Sequence, residues 1–229
     1  MSFKGLPKDY FDFFNELKDN NNREWFTENK PRFKASVQEP LSAMVEAIAP
    51  HLKKVSKHFV ADPRLNGGSV FRIYKDVRFS KDKTPYKTHG AIQLRHALGK
   101  DAHAPGFYIH LATDEIFYGG GIWHPPSPHL LKIRETIRDK GPAWKKATTS
   151  AVFEKRFGEL RGDGLTRPPR GFDGEHPLIN DIKRKSFFAM AETKPATAKK
   201  AAFIDDVAAA MKDAKPMMKF LCDALGVPI

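Results

Sequence analysis

The chain has 229 residues, of which 41% are hydrophobic and 29% are charged, and its formal net charge at pH 7 is +12. This length suits one large domain, and the composition is ordinary for a soluble globular protein. No apolar run approaches the roughly 18 residues that a membrane span needs, which excludes that class of protein. The first residues lack a signal-peptide pattern and Cys222 is the single cysteine, so we expect a cytoplasmic protein without an internal disulfide.

Helical periodicity dominates residues 7–60. A first short helix is predicted to start at Pro7, and Asn22 is positioned to cap a second one. Apolar residues then recur at three- and four-residue steps, which predicts a long helix that packs on the core. These residues are Leu41, Met44, Val45, Ile48 and Leu52.

Alternation replaces the helical period over residues 69–122, which predicts a mainly antiparallel sheet. Four strands are predicted, at 71–74, 92–95, 107–111 and 116–118. In the first, Phe71 and Ile73 face one way while Arg72 and Tyr74 face the other. The last strand ends in a run of three glycines, where the backbone can adopt conformations that other residues avoid.

Residues 123–229 combine helices and loops. Residues 158–175 are predicted to form a surface loop that is a candidate lid, 186–191 a fifth strand, and 198–225 two helices that meet near Pro216. We therefore predict an α+β fold in which residues 1–229 form a single domain. Its sheet has about four to five mainly antiparallel strands, and the helices pack on one face.

The basic residues are concentrated in one place. Residues 70–100 hold eight Lys or Arg and two Asp, which accounts for half of the net charge. The densest part is RIYKDVRFSKDKTPYKT, residues 72–88, in which aromatic side chains interleave with cations. Such a concentration favours a local site for an anion over a general solubility charge. The GxxxxGK[ST] pattern of a P-loop is missing, so nucleoside triphosphate binding of that kind has no support.

The alternation also places a set of polar residues together on the sheet face opposite the core. They are Arg72, Tyr74, Gln93, Arg95, Tyr108 and His110. Guanidinium, phenol and imidazole groups are fixed donors suited to phosphate or carboxylate. A merely solvated face is the alternative, because antiparallel sheets commonly have one. With the loop cations added, the predicted ligand-binding residues are Arg72, Tyr74, Arg78, Lys81, Lys83, Lys87, Arg95, Tyr108 and His110.

The leading functional hypothesis is a domain that binds an anionic, phosphate-bearing ligand in a basic pocket over the sheet. An enzyme in which His110 or Tyr108 moves a proton is an alternative, but no paired carboxylate or activated nucleophile requires it. Sequence-independent nucleic-acid binding is a second alternative, and a protein-interaction module is a third. The nine histidines lack metal-ligand spacing, so no metal site is predicted. No cofactor, catalytic residue or oligomeric state is indicated.

The run from Arg72 to Lys87 also resembles the signature of a bacterial family of conserved hypothetical proteins, domain of unknown function 2461. Three later segments agree with this resemblance, which extends over roughly residues 10–225. They are Pro105-Gly106-Phe107-Tyr108, Gly119-Gly120-Gly121 and Pro168-Pro169-Arg170-Gly171-Phe172. The resemblance implies a shared fold, and it assigns no activity, cofactor or catalytic residue.

Overall fold

An antiparallel sheet of five strands organises residues 3–99 and 104–229, the parts of the chain that this computed structural model describes. The strands lie across the sheet in chain order. They are β1 (Phe59–Val60), β2 (Gly90–His96), β3 (Gly106–Leu111), β4 (Ile116–Ile122) and β5 (Phe187–Thr193). The predicted α+β fold with a mainly antiparallel sheet is confirmed.

Helices precede the sheet, connect its last two strands and close the chain. They are α1 (Lys8–Asp19), α2 (Arg23–Glu28), α3 (Lys30–Phe33), a π-helical segment (Lys34–Gln38), α4 (Glu39–Val55), α5 (Ser127–Asp139), α6 (Gly141–Thr148), α7 (Ala151–Phe157), α8 (Ile179–Ile182), α9 (Pro195–Ala198) and α10 (Phe203–Leu225). Asn22 caps α2 as predicted, because its side chain accepts a hydrogen bond from Trp25 N. None of the helices in the described ranges is both long enough and apolar enough to cross a membrane.

The strand register separates the two faces of the sheet. Ile92 and Leu94 of β2 pair with Ile109 and Phe107 of β3, and all four side chains are buried. They belong to the core that α4 and α10 cover. The intervening residues project from the opposite face, because side chains alternate along a strand.

The rows on that opposite face follow from the register. One row is Arg95, Gly106, Gly121 and Phe188, and the next is Gln93, Tyr108, Gly119 and Met190. A third row is Ala91, His110, Phe117 and Glu192. The predicted sharing of one face by Gln93, Arg95, Tyr108 and His110 is confirmed.

The predicted strand at 71–74 is wrong. Val70 forms only an isolated bridge with Ile92, and Phe71 N donates one hydrogen bond to Ala91 O (2.9 Å) before the chain leaves β2. The following residues pair with a later part of their own segment instead of with the sheet. Arg72 therefore lies outside the strands, and the period-two pattern reflects the burial of Ile73 between exposed neighbours.

The predicted break between two helices near Pro216 is also wrong, because α10 runs through this residue. A proline inside a helix removes one backbone hydrogen bond and costs about 3 kcal/mol. Met217, Met218 and Leu221, which follow on one face of the helix, are fully buried. Packing of this apolar face against the core offsets the local cost.

Candidate functional site

Residues 72–88 form an irregular hairpin, here called the motif hairpin, at the edge of the sheet. Its arms meet where Tyr74 forms an antiparallel bridge with Tyr86 and where Lys87 N donates a hydrogen bond to Ile73 O (2.8 Å). The arms of this segment thus hydrogen-bond to each other instead of to a strand of the sheet.

Tyr86 anchors the motif hairpin to the helical layer. Its ring is buried and stacks on Phe26 of α2, with the ring centroids 4.1 Å apart. Asn21, in the turn between α1 and α2, donates a hydrogen bond to Tyr86 O (3.0 Å) and accepts one from Tyr86 N (3.1 Å). The base of the hairpin is therefore held from both the side chain and the backbone.

The tip of the motif hairpin, residues 76–83, is mostly exposed and much of its charge is paired. Arg78 donates to Asp76 through Nε (2.9 Å) and Nη2 (2.7 Å), and these bonds lower the pKa of Asp76 to about 2. Lys75 Nζ lies 2.8 Å from Asp82 Oδ2. Lys83 Nζ donates to a backbone carbonyl within the tip (3.0 Å). Three of the motif's cations thus stabilise the conformation of their own loop.

Arg72 has no hydrogen bond or ion pair from its guanidinium to the described residues. It points into a cavity of about 870 Å³, here called the basic groove, between the motif hairpin and helices α1 to α4. The polar residues that line the groove are Thr27, Lys30, Lys34, Gln38, Asn66, Arg72, Tyr74 and His89. No Asp or Glu is among the described residues lining it, so the groove carries uncompensated positive charge.

Local folding directs Lys30 and Lys34 into the basic groove. Four residues apart on a helical path, they share one side of α3 and the π-helical segment. Arg32 points elsewhere and pairs with Asp9 and with Glu16, whose Oε2 lies 2.6 Å from Arg32 Nη1. Asp9 and Glu16 of α1 are thus neutralised away from the groove. Helical widening of this π type is common at functional sites.

Two histidines with tilted rings in contact lie at the wall of the basic groove, which His89 lines. The rings of His89 and His110 are 4.2 Å apart, and the ring of His110 stacks on Phe117 at 4.4 Å. Burial, followed by the nearby His110, lowers the pKa of His89 to about 4. Burial also lowers the pKa of His110, so both rings are neutral at pH 7. His89 therefore offers the groove a hydrogen bond and no charge.

A second cavity, here called the sheet cleft, lies on the sheet face opposite the helices and has a volume of about 480 Å³. Its apolar lining includes Phe71, Tyr108, Phe117, Trp123, Phe188 and Met190. Its polar lining is Gln93, Glu115, Arg161 and Glu192. Arg161 comes from the loop predicted as a candidate lid, which pairs with β5 through the bridge between Arg161 and Phe188.

The predicted ligand-binding residues therefore do not form one pocket over the sheet. Arg72 and Tyr74 line the basic groove, whereas Tyr108 lines the sheet cleft. His110 lies between them, with its Nδ1 3.2 Å from Tyr108 Oη. The expected convergence of Arg72 with Arg95 and His110 is wrong, because Arg72 leaves the sheet edge toward the helical side.

The remaining predicted residues line neither cavity. Arg78, Lys81 and Lys83 lie on the exposed tip of the motif hairpin. Lys87 is half-buried beside the groove, where its Nζ donates to Arg72 O (2.8 Å) and lies 5.3 Å from the ring centroid of Phe71. Arg95 lies in β2, paired with Val60 and Gly106 in the register. None of these cations lines the groove, and Arg95 lies on the sheet face that carries the cleft.

Sequence reasoning missed Lys30, Lys34 and His89 in the groove, and Trp123 and Phe188 in the cleft. The four-residue spacing of the two lysines was a usable signal. The aromatic residues gave none, because Phe188 belongs to a buried strand and Trp123 follows a glycine run.

The described parts of the chain contain neither a candidate metal site nor a reactive cysteine. No group of three or more His, Cys, Asp or Glu residues there is arranged to hold a metal ion. Cys222 is fully buried in α10, and burial raises the pKa of its thiol to about 12. A thiol of this kind is protonated at neutral pH and unreactive as a nucleophile.

These features define an α+β protein with a basic groove on its helical side and an aromatic cleft on its sheet. Residues 9–220 match the family described as conserved hypothetical protein (DUF2461). The chain belongs to this family, and the resemblance found in the motif is confirmed. No curated protein gives a significant match to the chain.

Proposed function

We propose that the protein binds a small anionic, phosphate-bearing molecule in the basic groove. The observation that carries the proposal is the convergence of Lys30, Lys34 and Arg72 on one cavity whose described lining contains no carboxylate. Like charges gathered in a partly enclosed space repel one another, and an anion relieves that repulsion. The volume of about 870 Å³ falls within the usual range for small-molecule sites.

Five of the lining residues have distinct parts in this proposal. The Arg72 guanidinium is suited to two parallel hydrogen bonds to a phosphate group, while the two lysines act as point charges. Tyr74, which is 49% exposed, and the neutral ring of His89 supply oriented hydrogen bonds. The proposal is for binding alone, because the described lining of the groove presents no activated nucleophile.

Calorimetric titration with sulfate, inorganic phosphate and pyrophosphate tests the proposal. Lys34→Gln and Arg72→Gln are each expected to weaken binding about tenfold to hundredfold, since a charge-assisted hydrogen bond contributes roughly 1.5–3 kcal/mol. Lys81→Gln is the matched control, because it removes an exposed motif lysine outside the groove. We expect it to change affinity less than about twofold. Equal losses in the Lys34 and Lys81 variants, or no saturable binding of any of the anions, would contradict the proposal.

Nucleic-acid binding is the second candidate, and one observation favours it. Phe79 at the tip of the motif hairpin is 96% exposed, and the Arg78 guanidinium lies 5.9 Å from its ring centroid. An exposed aromatic residue among cations suits stacking on a base beside a phosphate. Titration of single-stranded and duplex DNA and RNA between about 50 and 200 mM salt separates the two candidates. Tight, steeply salt-dependent binding that Phe79→Ala and Lys81→Gln abolish would place nucleic acid first.

A further inference from the structure

The sheet cleft has aromatic walls on two sides. On one side the ring of Tyr108 lies 6.2 Å from Phe71 and 6.0 Å from Phe117. On the other side the rings of Trp123 and Phe188 lie 5.4 Å apart. Trp123 is 53% exposed, which is unusual for so large an apolar side chain. Two aromatic groups that face a shared space are suited to stacking on a flat ligand.

Glycines form the floor between these walls. Gly106 and Gly121 pair across β3 and β4, and the next cross-strand row places Gly119 beside Tyr108. A Cβ atom on Gly121 would lie 2.2 Å from Phe187 O, and its φ of +154° further disfavours any other residue. The sheet surface at this point is therefore bare backbone, which leaves a flat floor at the bottom of the cleft.

Gln93 supplies the cleft with a hydrogen-bonding group that the described parts of the chain leave available. Its side-chain amide forms no hydrogen bond to the described residues, and its Nε2 lies 3.7 Å from the position of a Cβ built on Gly106. A primary amide presents a donor and an acceptor side by side. It can therefore pair with a ligand edge that carries the complementary acceptor and donor.

The charges at the rim of the cleft do not favour an anion. Arg161 Nη1 lies 2.7 Å from Glu192 Oε1, so this cation is already paired. Glu115 Oε1 lies 3.5 Å from His110 Nε2, and burial keeps that imidazole neutral at pH 7. The described lining thus holds one carboxylate in excess, which repels phosphate groups.

We propose that the sheet cleft binds an uncharged, planar aromatic heterocycle whose edge pairs with the side-chain amide of Gln93. The aromatic side chains of the two walls stack on the two faces of the heterocycle. The glycine floor leaves room for the heterocycle to lie deep in the cleft. A cavity of about 480 Å³ accommodates a ring system of one to three fused rings. Phe71 lines both this site and the basic groove, but none of the charged groove residues reaches the cleft, so the inference stands independently of the function proposed for the groove.

Amide NMR on the intact chain tests this inference with adenosine, guanosine and riboflavin as probes. Saturable shifts are expected at Gly106, Gly119 and Gly121, and none are expected at Lys30 or Lys34 in the groove. Adenosine and guanosine 5′-monophosphates are expected to bind the cleft no more tightly than the nucleosides. Choline, a cation without an aromatic ring, is the control. Absence of saturable shifts with all three probes, or saturable shifts with choline and with none of the probes, would overturn the proposal.

Variants sharpen the test. Gln93→Leu removes both hydrogen-bonding atoms at similar volume and is expected to weaken probe binding about tenfold. Gln38→Leu is the matched control, because it makes the same change in the basic groove, and it is expected to leave probe binding within about twofold. Equal affinities of the Gln93→Leu variant and the unaltered protein would overturn the role of Gln93. Sulfate titration of the same samples reports on the groove, so failure at one site is distinguishable from failure at the other.

Discussion

Replacing Tyr86 or Arg72 by alanine separates the structural and ligand-binding parts of the motif hairpin. Tyr86 is only 4% exposed, and its ring stacks on Phe26. Removing a buried aromatic ring costs about 3–5 kcal/mol, and we expect about 3 kcal/mol because the hairpin can relax at the surface. Arg72 is exposed and unpaired within the described residues, so Arg72→Ala is expected to change stability by less than about 0.5 kcal/mol.

Urea unfolding followed by far-UV circular dichroism, with and without sulfate, measures both effects. A loss of about 3 kcal/mol is a large part of the roughly 5–15 kcal/mol that folded domains possess, so the midpoint for Tyr86→Ala should shift clearly. At a sulfate concentration that just saturates the unaltered protein, sulfate should stabilise both variants much less, because Arg72→Ala removes a ligand contact and Tyr86→Ala releases the base of the hairpin. Tyr86→Phe keeps the stacked ring and serves as control.

One result would refute this reasoning. If Arg72→Ala lost more than about 2 kcal/mol while sulfate still stabilised the variant, Arg72 would belong to a structural network. The motif would then be architectural, and Arg72 would have no part in binding anions.

Two further predictions concern buried polar groups. Tyr10 Oη donates to Leu111 O (2.8 Å) and accepts from Gly90 N (3.1 Å), so Tyr10→Phe should lower the free energy of unfolding by about 1–3 kcal/mol. Tyr118→Phe, which removes a hydroxyl without a hydrogen bond to the described residues, should cost clearly less in the same urea unfolding experiment. Burial lowers the pKa of His89 from 6.5 to about 4, so the unfolded state binds more protons between these values and stability falls as the pH drops from 6.5 to 4. In thermal unfolding across this window, the dependence of the melting temperature on pH should be shallower for His89→Gln than for the unaltered protein. The matched variant His129→Gln, at an exposed position of α5, should keep the dependence of the unaltered protein. The same dependence for His89→Gln and the unaltered protein would contradict the assignment.

The parts of the fold that the sequence predicted are those set by local periodicity. The apolar stripe of α4 is buried along its whole length from Leu41 to Leu52, as its spacing predicts. Ile92 and Leu94 are buried while Gln93 between them is not, as strand alternation predicts. In both cases the burial of a residue depends only on its neighbours within one element.

The parts of the fold that the sequence did not predict depend on which of two distant segments a residue pairs with. The residues around Arg72 can pair with β2 or with the arm around Tyr86, and the contact of Tyr86 with Phe26 and Asn21 favours the second. No local pattern encodes that choice. Because this segment pairs with the arm around Tyr86, Arg72 lies on the helical side and not on the sheet. The predicted site residues therefore line two different cavities.

The spacing of Lys30 and Lys34 indicates a shared helix side, but the sequence does not show that both lysines are free to line the groove. Whether Lys30 and Lys34 are free depends on Arg32, which takes both Asp9 and Glu16 of α1 as partners. Charge counts along the chain cannot show which cation captures a carboxylate. The net charge of residues 70–100 therefore predicted the sign of the groove but not the lysines that line it.

The burial of Cys222 makes the protein convenient for site-directed labelling. It is the only cysteine in the chain, and its fully buried thiol has a pKa raised to about 12. Maleimides and methanethiosulfonates react with exposed thiolates, so the folded protein offers them no competing native site at neutral pH. A cysteine introduced in place of the exposed Phe79 would carry a spin label or fluorophore alone, without prior removal of the native thiol.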